Sequence, residues 1–396
     1  MSEKKVIQRS NNWVSNFMLI GKPKINNFTF KIDQTSNKSN WIYSAMNLGI
    51  DCGERSGCVY CDLMGGYSAD GENKIFAHGK KDDVSDDFKT PITVDWNDRF
   101  NEDILEKIGK KSLIEVVLEK TDKGNVFKKK FLSEYDAIAY IKEHLSDDMV
   151  VVVRGDLKYS EYNGNVQVKK NITSISLAID KNAKDFYTSD KFKATFTQSV
   201  LIDKDSASLK NVDKDRGVMY VDTIVLDYLK EKDGIEIKGQ YPYRKQFEYV
   251  LPDANNDSQN KTIYEKLFKV KKDITQINFY GEFIESGAVV ETTWDDVPDE
   301  IKELVSANIF TKEQALKACA TNGNRESRMA LKTPVIKLVG DDDKKVPTVQ
   351  KFEDRYKESD LILDYLYQNG NKEDEPPFDT DEENCSDDSM DWLNSL

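Results

Sequence analysis

The sequence predicts a mainly β chain with α additions: two small closed barrels in tandem, then a small helical region and a disordered acidic tail. Three observations carry this reading. Extended segments rich in aromatic and β-branched residues dominate the first 290 positions. A helix precedes one long hairpin at Met149–Ile179. A glycine step in that hairpin recurs in a second set of strands.

The chain has 396 residues and a formal net charge of −14, with 38% hydrophobic and 32% charged residues. That length allows two or three domains, each with its own core. The modest hydrophobic share fits small barrels with much surface and some unfolded polar sequence. No stretch is apolar enough to span a bilayer, and Met1-Ser-Glu-Lys-Lys-Val6 begins no apolar run of signal-peptide length. The expected location is therefore the cytoplasm. Five cysteines without framework spacing suit a reducing compartment.

The first unit, residues 12–180, opens with strands at Phe17–Ile20, Phe28–Ile32, Trp41–Met46 and Cys58–Met64, bounded by Gly, Asn and Ser clusters. Gly65-Gly66 is expected to force a turn or bulge. Ser133-Glu-Tyr-Asp136 starts a helix in the manner of a capping box. Its expected buried face carries Tyr135, Ile138, Ala139 and Leu145, with Lys142 among them. Then Met149–Tyr159 and Val166–Leu177 form a hairpin about Asn163-Gly164, the pair a type I′ turn requires. Strands, helix and closing hairpin follow in the order of an OB barrel, and Gly155 lets the long strand coil.

The second unit, residues 185–292, repeats the plan. Strands are expected at Phe192–Ile202, Val218–Leu226 and Tyr241–Leu251, a short helix at Thr262–Phe268, and a strand at Ile274–Glu285. Val153-Arg-Gly-Asp-Leu157 and Phe279-Tyr-Gly-Glu-Phe283 share one pattern at the same place in the order, as an internal duplication would leave them. Residues 293–368 read as a mixed helical extension: a helix from Val297 to Gly323, a strand at Met329–Val339 and a helix from Phe352 to Tyr367. Residues 369–396 form the tail. From Asn371 onward ten acids face one base, a net −9, which leaves −5 of the −14 for residues 1–370.

Catalytic signals are poor. No phosphate loop, dinucleotide fingerprint or nucleophile elbow occurs, and the two histidines are His78 and His144. The chain is expected not to be an enzyme. No cofactor is expected, with zinc as the alternative. Cys52, Cys58 and Cys61 with His78 have part of a zinc knuckle's spacing, but within one strand Cys58 and Cys61 would point to opposite faces. The default is small buried cysteines.

Single strands expose base faces that stack on aromatics and phosphates that need Lys or Arg. The candidate nucleic-acid contacts are Trp41, Tyr43, Tyr60, Arg154, Lys158, Tyr159, Tyr162, Lys169, Lys170, Tyr243, Arg244 and Lys245. The bland reading of each is a half-buried sheet aromatic or a solvated charge. In the tail, Asp387, Asp388, Asp391, Trp392, Leu393 and Leu396 combine acids with an apolar tip that could dock on a partner.

The chain resembles the single-stranded DNA-binding proteins of tailed bacteriophages over about residues 10–290. The resemblance lies in Gly57-Cys-Val-Tyr-Cys-Asp-Leu-Met-Gly-Gly66, Trp96-Asn-Asp-Arg-Phe100, Val151-Val-Val-Arg-Gly-Asp-Leu-Lys-Tyr-Ser160 and Ala194-Thr-Phe-Thr-Gln198. It implies an OB fold, coating of single-stranded DNA in replication and recombination, a tail that recruits replication proteins, and a host-cytoplasmic location if phage-encoded. The chain departs from bacterial relatives, whose acidic run ends in Pro-Phe; this one ends Asn-Ser-Leu. Its cysteine and histidine order also differs from the zinc subdomain of T-even phage helix-destabilising proteins. The competing reading is an OB-fold scaffold of the replication machinery, which the acidic body favours.

Overall fold

A computed structural model describes residues 7–37, 39–81, 85–120, 126–180, 185–232, 234–286, 294, 297, 299–306, 311–312, 326–339 and 345–361. The first barrel is built from β1 (Ser15–Lys24), β2 (Phe30–Thr35), β3 (Trp41–Asp51) and β4 (Cys58–Ser68). A side hairpin follows, β5 (Lys74–Lys81) with β6 (Ser85–Asp95), then α1 (Glu102–Leu105), β7 (Ile114–Lys120), β8 (Val126–Phe131) and α2 (Glu134–His144). The hairpin β9 (Val151–Tyr162) and β10 (Asn165–Leu177) completes it. After a small link, β11 (Ile179–Asp180) and β12 (Asp185–Phe186), come β13 (Lys193–Ile202), β14 (Ala207–Asp213), β15 (Val218–Lys232), β16 (Ile235–Val250), α3 (Asp257–Ile263) and β17 (Thr275–Ser286). The last described elements are α4 (Asp299–Ser306), β18 (Glu326–Pro334), β19 (Ile336–Val339), β20 (Val346–Val349), β21 (Lys351–Phe352) and α5 (Glu358–Leu361).

The pairings close two rings of five strands. In the first, β1 meets β3, β3 meets β4, β4 meets β10 in parallel, β10 meets β9, and β9 returns to β1. In the second, β13 meets β15, β15 meets β16, β16 meets β18 in parallel, β18 meets β17, and β17 returns to β13. Each ring has one parallel contact and a helix before its fourth strand, which is OB connectivity. The fifth strand of the second ring, β18, comes from the stretch that the sequence reading placed in a helical extension. Phe352 belongs to β21 rather than a helix, and helix returns only at α5. The rest of the expected 352–367 helix, and most of the Val297–Gly323 helix beyond α4, lie outside the described residues.

The two rings share one sheet. Residues Asn16–Ile20 of β1 pair with β9 on one edge and with β13 on the other, placing Phe17 opposite both Gly155 and Phe196. Phe196 in turn lies opposite Gly281 on β17. The duplicated pattern thus maps onto one device used twice: a buried Phe ring lying over a strand glycine. A Cβ on Gly155 would sit 1.8 Å from the Asn171 carbonyl oxygen and 2.7 Å from the Phe17 ring, and one on Gly281 would sit 2.2 Å from the Phe196 ring.

Buried polar groups reinforce this junction. Asp227 on β15 is 2% exposed and pairs with Arg9 at 2.8 Å. It also accepts the Tyr159 backbone N–H of β9 at 2.7 Å. Tyr159 Oη then donates to Gln198 Oε1 of β13 at 2.8 Å. Removing one partner of such a pair typically costs about 3–5 kcal/mol, because a buried charge is left uncompensated.

Local chemistry explains the helix that plugs the first barrel. Ser133 Oγ caps α2 by accepting the Tyr135 N–H, while Asp136 binds Arg99 at 2.6 and 3.2 Å instead of closing a capping box. The helix ends where Leu145 turns extended, its N–H still donating to the Ile141 carbonyl. The buried stripe is Ala137, Ile138, Ile141 and Leu145, one step round from the expected face, because Tyr135 turns towards Tyr67, Trp96 and Asp33. Full burial of each Ile contributes about 1.5–3 kcal/mol. Gly65 and Gly66 do not turn the chain but continue β4. Gly65 lets the α2 N-terminus approach, and Gly66 lies against Tyr43, so both answer to close contact rather than bending. The Asn163-Gly164 turn has φ of 48° and 75°, as the hairpin chemistry predicts. No helix among the described residues is long and apolar enough to cross a membrane.

Gly155→Ala and Gly281→Ala should each lose at least about 2 kcal/mol, since the added methyl must displace backbone or a packed ring. Urea unfolding measures this. An unchanged midpoint for either variant would show that its Phe-over-Gly contact is absent.

Candidate nucleic-acid interface

Alternation along β3 sends Met46, Leu48 and Ile50 into the first barrel and Trp41, Tyr43, Ala45 and Asn47 outward. The outward side chains of β4 opposite them are Met64, Asp62 and Tyr60. Trp41 and Tyr43 stack with ring centroids 5.0 Å apart and planes 16° apart, and both remain half-exposed. Met64 is 50% exposed beside them. Lys31 of β2 lies opposite Ala45 on the same face. In mid-track, Asn47 Nδ2 donates to Asp62 Oδ1 at 2.6 Å, which fixes both side chains.

Tyr60 lies over Gly49, where a Cβ would come within 3.1 Å of the ring. The parallel pairing of Asn171 with Asp62 brings β10 alongside, and two residues towards the hairpin tip Lys169 stands directly opposite Lys158. Both lysines are exposed, and Tyr162 at the tip is 44% exposed. The face therefore runs from an aromatic stack at one end to an aromatic beside two ammonium groups at the other. From Gly66 to Tyr60 along β4 this spans roughly 20 Å at strand rise.

The other candidates separate. Tyr159 and Tyr243 are core residues, 4% and 2% exposed, with ring centroids 6.5 Å apart. They are therefore corrected from base-stacking candidates to packing between the barrels; alternation alone did not reveal that the second barrel covers this face. Lys170 points to the inner side of its hairpin, 4.9 Å over Phe283, and Lys245 lies 5.6 Å over Phe247. Both rings belong to the aromatic group around Phe196. Burial, with the Lys170 charge nearby, holds the Lys245 ammonium below the usual lysine range. Arg244 is exposed on the outer face of β15–β16 opposite Ile224, and Arg154 is exposed on the outer face of β9 opposite Met18.

A second aromatic group, Tyr67, Trp96 and Tyr135, was not singled out by sequence. Arg99 sits 4.2 Å over Trp96 and pairs with Asp136, so this group braces the α2 end of the barrel. The tail residues Asp387, Asp388, Asp391, Trp392, Leu393 and Leu396 lie outside the described residues.

The cysteines do not converge. Cys58 points outward from β4 and Cys61 inward, where its Sγ contacts the Leu48 carbonyl oxygen at 3.3 Å. Cys52 and Cys61 are buried, and burial pushes both thiols well above their ordinary value. His78 lies on the side hairpin opposite Pro91. Among the described residues no group of three His, Cys, Asp or Glu side chains is placed to hold a metal. His144 Nε2 lies 2.8 Å from Glu119 and its ring stacks on Tyr140.

These features define a mainly β protein with two OB-type rings and an outward aromatic face. A family model described as YorF matches residues 97–301, more than half of the chain, and the chain belongs to the YorF family. Two crystal structures of the single-stranded DNA-binding protein from Thermus aquaticus are similar in part. The wild-type protein is 8% identical, with 69% of this chain and 86% of that chain covered and a TM-score of 0.29. A deletion mutant is also 8% identical, with 69% and 88% covered and a TM-score of 0.27. At these scores the likeness adds nothing to the strand pairings above. No curated protein matches the chain.

A thiol reagent at pH 8 should label Cys58 before Cys52 or Cys61, because a raised thiol pKa leaves little thiolate in the folded state. Peptide mapping by mass spectrometry resolves the three. Equal native labelling of Cys61 would contradict its place in the core.

Proposed function

We propose that the chain binds single-stranded DNA without strong sequence preference, through the outer face of β3–β4 in the first barrel. The observation that carries this is the half-exposed Trp41–Tyr43 stack on the face where OB barrels bind oligonucleotides. A base continues such a stack whatever its identity, and Lys158 and Lys169 supply charge for the backbone. The chain is read as a coating protein rather than an enzyme, acting in the cytoplasm in phage DNA replication and recombination. Its acidic tail would recruit replication proteins through Trp392, Leu393 and Leu396.

Titration with oligo-dT, followed by tryptophan fluorescence at several salt concentrations, tests this reading. Trp41→Ala should lose about 1–3 kcal/mol of binding, the worth of one stacked base. A chain ending at Gly370 should bind more tightly at low salt, because net charge of −9 is removed. Absence of binding by both forms at low salt would contradict the proposal.

A further inference from the structure

The outer face of the shared sheet holds a groove of about 950 Å³ across the junction of β9, β1, β13 and β17. Strand register places its side chains in rows. Arg154, Met18, Thr195 and Glu282 form one, and Asp156, Asn16, Thr197 and Tyr280 the next. Arg154 and Tyr280 each precede the glycine of their barrel, so the duplicated step supplies a guanidinium on one side of the junction and a ring on the other.

The charges in the groove do not cancel. Glu282 is held by Arg55 at 2.9 Å and Lys332 at 3.6 Å. Desolvation raises the Asp156 carboxyl above the usual range, against the opposing fields of Lys158, Arg9 and Lys111. Among the described residues, neither Arg154 nor Lys193 is within ion-pair distance of a carboxylate, and both line the groove and are exposed. Tyr280 is 50% exposed, an unusual state for an aromatic in mid-sheet. Hydroxyls of Thr195, Thr197 and Thr333 complete a polar floor suited to a sugar–phosphate chain.

We propose that this groove is a second single-strand contact, with phosphates at Arg154 and Lys193 and a base stacked on Tyr280. This rests on the single-stranded DNA reading of the β3–β4 face and extends it across both barrels. An OB fold covers about 4–16 nucleotides, so a strand held at both places exceeds what one barrel holds.

Tyr280→Trp places a fluorescent ring in the groove, on an exposed position where the substitution does not disturb the core. Its emission, taken as the difference from the unsubstituted chain, should be quenched by an oligo-dT of about 30 nucleotides. Tyr280→Ala combined with Arg154→Ala should weaken that oligonucleotide by about tenfold or more, the equivalent of one stacked base. Quenching at Trp41 without any change at the Tyr280 probe, and undiminished affinity of the double variant, would overturn the groove while leaving the β3–β4 reading intact. Silence at both positions would overturn that reading and this inference with it.

Discussion

The first half of β1 has both hydrogen-bonding edges occupied, by β9 of its own ring and by β13 of the other. Most of what is distinctive about the molecule depends on that pairing. At its centre Phe17 faces Phe196, and each ring needs the missing side chain of a glycine across the next strand. Backbone can approach so closely only where no Cβ intervenes. The Arg9–Asp227–Tyr159–Gln198 chain, buried at Asp227, Tyr159 and Gln198, then ties β9 to β15 and β13 with charge-assisted and neutral hydrogen bonds. Such a network is costly when partly satisfied, so it favours one arrangement of the two barrels over slipped alternatives.

The same pairing sets the surface. It packs Tyr159 of the first barrel against Tyr243 of the second and leaves the outer faces of β9, β1, β13 and β17 as one continuous floor. The β3–β4 face is a separate outward face of the first barrel. Its Trp41–Tyr43 stack is therefore available, whereas the inner-facing Lys170 and Lys245 are drawn over the aromatic group around Phe196. Position relative to the junction, more than residue type, separates surface aromatics and bases from those used in packing.

Much of the fold was legible because its signals are local. Asn163-Gly164 needs only two residues to specify its turn, Ser133 needs only the following N–H groups to cap a helix, and alternation in β3 and β4 places Trp41 and Tyr43 outward. The Gly155 and Gly281 steps were visible as a repeat, but their partners Phe17 and Phe196 lie far away in sequence, so the reason for the glycines was not. The strand at Met329–Val339 was expected, but its place in the second ring was not, for the same cause: an isolated strand cannot reveal which ring it closes. Gly65-Gly66 misled because glycine permits both turns and close approach, and only the position of α2 decides between them. Asp136 looked like half of a capping box, yet the guanidinium of Arg99 outcompetes a backbone N–H.

Hydrogen exchange read by mass spectrometry tests the shared sheet most directly. Amides of Asn16–Ile20 and Thr195–Gln198 should exchange together, in the slowest class, because each strand is paired on both edges along this stretch. Fast exchange of either segment while β9 and β17 stay protected would contradict the pairing of β1 with β13, and with it the joining of the two barrels into one sheet.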